Sequence, residues 1–123
     1  MGIEINGIAQ LMKKLNKISS TATKEAVMSG IEKGCLRVER DAKINLTKND
    51  SVISGILRAS ITHKLDPSTL SATVGSNVEY APYVELGTQY QGAKPYLYPA
   101  LRDNRDNIKQ DVANALQQAI RRL

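Results

Sequence analysis

Apolar residues recur every three or four positions in three stretches of the chain, and this spacing predicts amphipathic helices. The longest stretch runs from about Thr21 to Leu46, another from about Pro99 to Leu123, and a shorter one from Ile8 to Ile18. Gly30 and Gly34 lie beside the apolar stripe of the longest stretch, although each glycine costs a helix about 1 kcal/mol relative to alanine. We therefore expect the backbone of another element to approach closely at these two glycines.

Alternating apolar and polar residues predict strands elsewhere in the chain. Ile3 and Ile5 indicate a short strand near the start. The segments Ile56–Leu65 and Leu70–Ser76 alternate as well, and Asp66-Pro67-Ser68 between them predicts the turn of a β-hairpin. The order of elements predicts an α+β fold, in which long amphipathic helices pack on one face of a small antiparallel β-sheet. We expect residues 1–123 to form a single domain.

The chain has five tyrosines, no phenylalanine and no tryptophan, and every tyrosine lies between Tyr80 and Tyr98. Tyrosine combines an apolar ring with a hydroxyl that can stay hydrated, a combination enriched where proteins contact one another. This segment, which is also rich in proline, is therefore the predicted partner surface. Within it, Tyr80–Leu86 predicts one helical turn closed by Gly87. The predicted interface residues are Tyr80, Tyr83, Glu85, Thr88, Tyr90, Gln91, Lys94, Tyr96 and Tyr98.

The residues that could carry catalysis or bind a metal do not form a recognisable constellation in the sequence. The lone His63 lies in the predicted hairpin and the lone Cys35 lies in the apolar stripe of the long helix, so both are interpreted as structural. Glu79 and Glu85 flank an apolar turn, and salt-bridge or capping roles are the favoured interpretation of both. We predict no enzyme activity, no metal, no cofactor and no small-molecule substrate.

The formal net charge of +5 and the isoelectric point near 9.4 favour contact with polyanions or acidic proteins. Basic residues alternate along the sequence with carboxylates such as Glu32, Glu39 and Asp103, so we expect any DNA affinity to be non-specific and sensitive to salt. No stretch approaches the roughly 18 apolar residues of a membrane span, and the N-terminus lacks the apolar run of a secretion signal. We therefore expect synthesis in the cytosol and no membrane contact.

Three motifs lie in a fixed order along the second half of the chain. GILRASI at residues 55–61 is followed by YAPYVELGT at residues 80–88 and KPYLYPAL at residues 94–101. Together with the flanking helices, these motifs resemble the neck or minor tail-component proteins of tailed bacteriophages and prophages, in which Tyr-Ala-x-Tyr-Val-Glu-Phe/Leu-Gly-Thr precedes Pro-Phe-Leu-x-Pro-Ala. The chain departs from that pattern at Tyr96, where phenylalanine is usual, and in the short loop from Gln89 to Ala93.

The resemblance implies a virion structural protein of the phage head–tail junction, present in the host cytoplasm during assembly. It implies a homo-oligomeric ring between the head-closing connector and the tail-terminator protein, with DNA passing non-specifically through the lumen. The main alternative is a small, basic, non-enzymatic nucleic-acid-binding regulator, which should place its lysines and arginines on one continuous face with aromatic residues among them. An enzyme such as a small nuclease is a more distant third reading.

Overall fold

The computed structural model describes residues 2–5, 21–48, 54–89 and 92–121. Its elements in chain order are β1 (Gly2–Ile5), α1 (Thr21–Lys48), α2 (Ser54–Ser60), β2 (Thr62–Asp66), β3 (Ser71–Gly75), α3 (Ala81–Leu86) and α4 (Leu97–Arg121). α1 and α4 confirm the two long predicted helices, although α4 begins at Leu97 rather than at Pro99. The helix predicted from Ile8 to Ile18 lies outside the described residues.

The two long helices pack against each other in antiparallel directions, and two glycines bring them together. A methyl group added to Gly30 would lie 2.8 Å from the Cα atom of Val112. One added to Gly34 would lie 2.9 Å from the side chain of Ile108. The predicted approach of another backbone is confirmed at Gly30, whereas at Gly34 the close neighbour is a side chain of α4.

Polar contacts fix the rotation of α4 against α1. Arg37 donates from Nε and Nη2 to the buried carboxylate of Asp111, at 2.6 and 3.1 Å. Nearer the C-terminal end of α1, the side-chain amide of Asn104 donates to Asp41 at 2.6 Å. Burial opposes ionisation of Asp41, but hydrogen bonds from Asn104 and Arg40 outweigh it and lower the pKa of this carboxyl. Both carboxylates are therefore directed towards the contact between the helices.

The sheet has three antiparallel strands in the order β1-β3-β2, and α1 packs against it. β3 is the central strand, and its residues Ala72 and Val74 are almost fully buried on the face towards the helices. Thr73 between them is exposed, as expected for a sheet with only one covered face. The β2–β3 hairpin confirms the turn predicted at Asp66-Pro67-Ser68, and the fold has the predicted α+β class.

The prediction that Ile56–Leu65 forms one strand was wrong in its first half. Residues 54–60 form the helix α2, and the strand begins only at Thr62. Leu57 and Ile61 are buried four positions apart, a spacing that fits both a helix and an alternating strand. Ala59 distinguishes the two, because a strand would bury it together with Leu57 and Ile61, whereas it is exposed.

The hydrophobic core is almost entirely aliphatic. Cys35 belongs to it and is fully buried, which confirms its interpretation as a core residue. Tyr96 is the one aromatic side chain among the core residues described. The core residues are Val27, Ile31, Cys35, Val38, Ala42, Leu46, Leu57, Ile61, Leu70, Ala72, Val74, Ala81, Tyr96, Leu97, Ala100, Ile108, Val112 and Leu116.

Candidate partner-binding surface

The short helix α3 has two faces of opposite exposure. Ala81 and Glu85, four residues apart, are buried, whereas Tyr83 and Leu86 leave 62% and 72% of their surfaces exposed. The helix ends at Gly87, whose φ of 80° lies in the region that favours glycine and whose N–H bonds to the carbonyl of Tyr83 at 2.9 Å. The predicted closure of this turn by Gly87 is confirmed. α3 therefore presents a tyrosine and a leucine outward from an anchored inner face.

Glu85 joins α3 to the start of α4. Its Oε1 atom accepts the backbone N–H groups of Tyr96 at 3.2 Å and Leu97 at 2.8 Å, and its Oε2 atom accepts that of Tyr98 at 3.3 Å. The first four N–H groups of a helix, counted from the residue that precedes it, lack partners within the helix. For α4 these positions are Tyr96, Leu97, Tyr98 and Pro99, and proline has no N–H. One buried carboxylate thus satisfies every free donor at the start of α4, and its charge complements the helix dipole.

Tyr96 anchors the same junction from the core side. Its side chain is 1% exposed, and its carbonyl accepts a hydrogen bond from the amide of Asn45 on α1 at 3.0 Å. Burial, and then the nearby charge of Glu85, raise the pKa of Tyr96 to about 12. The backbone N–H of Lys94 bonds to the carbonyl of Val84 at 2.9 Å. The segment that enters α4 is therefore tied to both α1 and α3.

Three exposed side chains lie on this anchored junction, and we refer to Tyr83, Leu86 and Tyr98 as the junction patch. Tyr98 is 53% exposed, although its backbone N–H is bonded to Glu85. Aromatic residues are enriched at the centres of protein interfaces, where they supply large contact areas at low cost in conformational entropy. The junction patch combines such residues with a backbone that is already ordered, as a partner-binding surface requires.

Comparison with known families decides which class of protein this is. The family model described as "Bacteriophage HK97-gp10, putative tail-component" matches residues 9–87, more than half of the chain. The chain belongs to this family. The comparisons with curated proteins and with solved structures gave no match.

Membership of the HK97-gp10-like family confirms the resemblance drawn from the sequence motifs. It assigns the chain to the structural proteins of phage tails, which contact other structural proteins of the phage particle. The matched residues include α1, the β2–β3 hairpin and α3 with Glu85. They end at Gly87, so the helix that Glu85 caps lies beyond the match.

The residues predicted to form the interface differ in their exposure. Tyr83, Thr88, Lys94 and Tyr98 are exposed, and Tyr80 is partly buried with its hydroxyl enclosed and without a hydrogen-bond partner among the described atoms. Glu85 and Tyr96 are buried inside the subunit, so their side chains are not available to a partner. Tyr90 and Gln91 lie outside the described residues.

Sequence reasoning missed Leu86 as a surface residue. A leucine between two polar segments reads as a core position, but here 72% of its surface is exposed. The available signal was its spacing within α3. Leu86 lies three residues after Tyr83 and therefore shares its helical face, whereas Ala81 and Glu85 occupy the opposite one.

The residues with potential chemistry are engaged in structural contacts. His63 is a strand residue, as predicted, and its Nδ1 atom lies 2.6 Å from Oε1 of Glu39. Burial first, and then the charges of Glu39 and Glu32, raise the pKa of the Cys35 thiol to about 11, so it stays protonated at neutral pH. Within residues 2–5, 21–48, 54–89 and 92–121, no group of three or more His, Cys, Asp or Glu residues is arranged to hold a metal ion. No helix in these ranges is long and apolar enough to cross a membrane.

Proposed function

We propose that the protein is a structural component of the phage head–tail junction, where copies assemble into a ring between the head-closing connector and the tail-terminator protein. The ring surrounds a channel through which DNA passes. In this role the protein catalyses no reaction and needs no cofactor, and it reaches the virion from the host cytoplasm during assembly.

The observation that carries the proposal is the junction patch on a preorganised backbone, in a chain that belongs to a tail-component family. Glu85 orders the end of α3 and the start of α4 before any partner binds. Binding then incurs little further loss of backbone entropy, which favours stable association between subunits. We propose that Tyr83, Leu86 and Tyr98 bind an adjacent subunit or a neck protein, with Thr88 and Lys94 at the edge of the contact.

A non-enzymatic role is supported by the contacts of the two most reactive side-chain types. The imidazole of His63 is bonded to Glu39, and the thiol of Cys35 is buried and protonated. Glu85 is buried and caps a helix with both of its oxygens, so its carboxylate is engaged within the fold. These groups hold elements of the fold together.

The test is a phage or induced prophage in which the gene for this chain carries an early stop codon. Electron microscopy of the lysate should show DNA-filled heads and complete tails that remain separate. Supplying the protein from a plasmid should restore joined particles. Joined, infectious particles in the absence of the protein would overturn the proposal, as would an early block in head or tail formation.

A further inference from the structure

The outward side of α1 carries a row of cations that the described contacts of the fold do not require. Lys33, Arg40 and Lys48 are exposed, and Lys43 between them is partly exposed. Lys33 and Lys48 lie about 22 Å apart along the helix axis, from the rise of 1.5 Å per residue. Arg58 of α2 extends the row, held beside the end of α1 by a hydrogen bond of 2.9 Å to a threonine hydroxyl. We refer to these five residues as the basic strip.

Two of the three carboxylates that neighbour these cations in the sequence are engaged elsewhere in the fold, whereas Glu32 is exposed beside Lys33. Glu39 is directed towards the sheet, where it contacts His63, and Asp41 is directed towards α4, where it contacts Asn104. Arg40 shares its charge with Asp41 at 3.1 Å. On the surface of α1 the cations therefore outnumber the exposed carboxylates, although Glu25 and Glu32 remain among them.

One further carboxylate lies beside the strip but does not neutralise it. Asp111 is 3.9 Å from Lys33, whose side chain is 66% exposed. The two oxygens of Asp111 are already bonded to Arg37. Lys33 is exposed and lies at the limit of ion-pair distance from Asp111, so the pair contributes little and Lys33 keeps most of its charge available to a ligand.

The exposed side of α4 differs from that of α1, although it too has several cations. Arg102, Arg105 and Lys109 are exposed there, and so are Asp103 and Asp106. Arg102 donates to Asp103 at 3.0 Å. Positive and negative groups thus alternate on the surface of α4, whereas cations predominate along the basic strip.

We infer that the basic strip faces double-stranded DNA and contacts its phosphate backbone; the inference rests on the proposed ring and identifies which side of the subunit lines the channel. B-form DNA carries one negative charge per roughly 1.7 Å of axis, so a row of cations of this length meets phosphates along its whole extent. Phosphate contacts carry no sequence information, which suits a channel that every part of a genome must pass.

The charged residues on this side favour DNA over a protein, although Leu36 and Ile44 of α1 are exposed on the same face. Lysine is depleted at protein interfaces and aromatic residues are enriched there. Three of the five residues of the basic strip are lysines, and none of the tyrosines of the chain belongs to α1 or α2. The junction patch has the opposite composition. The two surfaces are therefore suited to different partners, phosphate groups for the basic strip and protein for the junction patch.

The test compares two triple variants that lose equal charge. Lys33→Gln, Lys43→Gln and Lys48→Gln remove three charges from the basic strip. Arg102→Gln, Arg105→Gln and Lys109→Gln remove three from the mixed surface of α4. Binding of each protein to a fluorescently labelled DNA duplex of arbitrary sequence is measured by anisotropy over a range of salt concentrations, and thermal melting checks that each variant is folded.

The strip variant should bind at least about tenfold more weakly than the wild type at low salt, and its slope of log affinity against log salt should fall by about 2 to 3. The α4 variant should lose less than about threefold, because its cations already have acidic neighbours. Equal losses in the two variants, or no binding by the wild type at low salt, would overturn the inference.

Particle assembly separates this inference from the proposed function. A strip variant that joins heads to tails but binds DNA as tightly as the wild type would refute the DNA-facing role and leave the structural role intact. A strip variant that binds DNA normally but fails to join heads to tails would mean that the strip contacts a protein. Failure of the stop-codon test above would refute the ring itself.

Discussion

The carboxylate of Glu85 lies 2.8 Å from the backbone nitrogen of Leu97, and this contact joins the end of α3 to the start of α4. The motif YAPYVELGT, which the sequence predicted to be part of a contact surface, therefore also has a structural role. The glutamate of YAPYVELGT caps the helix that KPYLYPAL begins, so the two motifs form one structural unit. The exposed tyrosines are displayed by that unit.

Removing this cap should destabilise the protein. Glu85→Ala leaves three backbone N–H groups without their acceptor in a largely buried site, so we expect a loss of about 1–3 kcal/mol in the free energy of unfolding. Glu85→Gln keeps one side-chain oxygen and should lose less. Urea unfolding measures both. Glu79→Gln, at an exposed position, serves as the control and should lie within about 0.5 kcal/mol of the wild type. An Ala variant as stable as the wild type would show that water replaces the carboxylate at no cost.

Tyr96 should make stability depend on pH in the alkaline range. Its pKa is raised from 10.0 to about 12 in the folded protein, so folding favours the protonated phenol. The corresponding stabilisation is complete below pH 10 and is lost as the pH rises through about 12. A spectrophotometric titration should show one tyrosine ionising in this late step. Tyr96→Phe should remove that step, and its persistence in the variant would assign it to another tyrosine.

Gly30 and Gly55 should respond in opposite ways to alanine. The added methyl group at Gly30 would meet the Val112 backbone at 2.8 Å, so α1 and α4 must separate and stability should fall by about 1–3 kcal/mol. No atom lies within 4 Å of a methyl group added at Gly55 in α2, where alanine should leave stability unchanged or raise it by up to about 1 kcal/mol. Thermal melting distinguishes the two. Equal effects would mean that the contact between the helices is looser than these distances indicate.

The junction patch should matter for assembly more than for folding. Tyr83→Ala and Tyr98→Ala remove side chains that are more than half exposed, so the melting temperature of the isolated subunit should change little. Each should weaken association by about 2 kcal/mol, as expected for a buried anchor in the assembled state. Sedimentation of the purified protein and the yield of joined particles measure the effect.

Ile56→Ala is the matched control for the patch variants, since Ile56 is 69% exposed and belongs to α2, outside the segment that carries the junction patch. If it weakens assembly as much as the tyrosine variants, the interface is larger than the patch or lies elsewhere. Tyr90→Ala is expected to act like the patch variants, with assembly impaired and the melting temperature retained. A Tyr90 variant that unfolds the subunit while particles still join would assign that residue to the fold.

The elements that the sequence predicted correctly are those with long, unambiguous periods. α1 and α4 each repeat their apolar spacing over many turns, and the hairpin has a proline-containing turn between two alternating segments. α2 was missed because Leu57 and Ile61 fit either period, and seven residues are too few to distinguish them. Tyr96 was assigned to the surface because of its type and neighbours. Its burial depends on a core that has no other aromatic residue among those described.

Long-range pairing explains the remaining differences. Spacing along the sequence cannot reveal that Glu39 pairs with a strand residue, or that Asp111 is bonded to a residue 74 positions away. Such pairings engage carboxylates within the fold and leave the surface of α1 predominantly basic. The capping role of Glu85 could be predicted from the sequence, because capping was among the favoured interpretations of that residue.

Both ends of the loop between α3 and α4 are hydrogen-bonded to neighbouring residues of α3. The N–H of Gly87 bonds to the carbonyl of Tyr83, and the N–H of Lys94 bonds to the carbonyl of Val84, each at 2.9 Å. Lengthening a loop whose ends are already held costs little, about 0.6 kcal/mol for each doubling of its length. Insertions between Thr88 and Ala93 should therefore leave the fold almost undisturbed. The segment can thus vary in length and sequence while the scaffold on either side of it is kept.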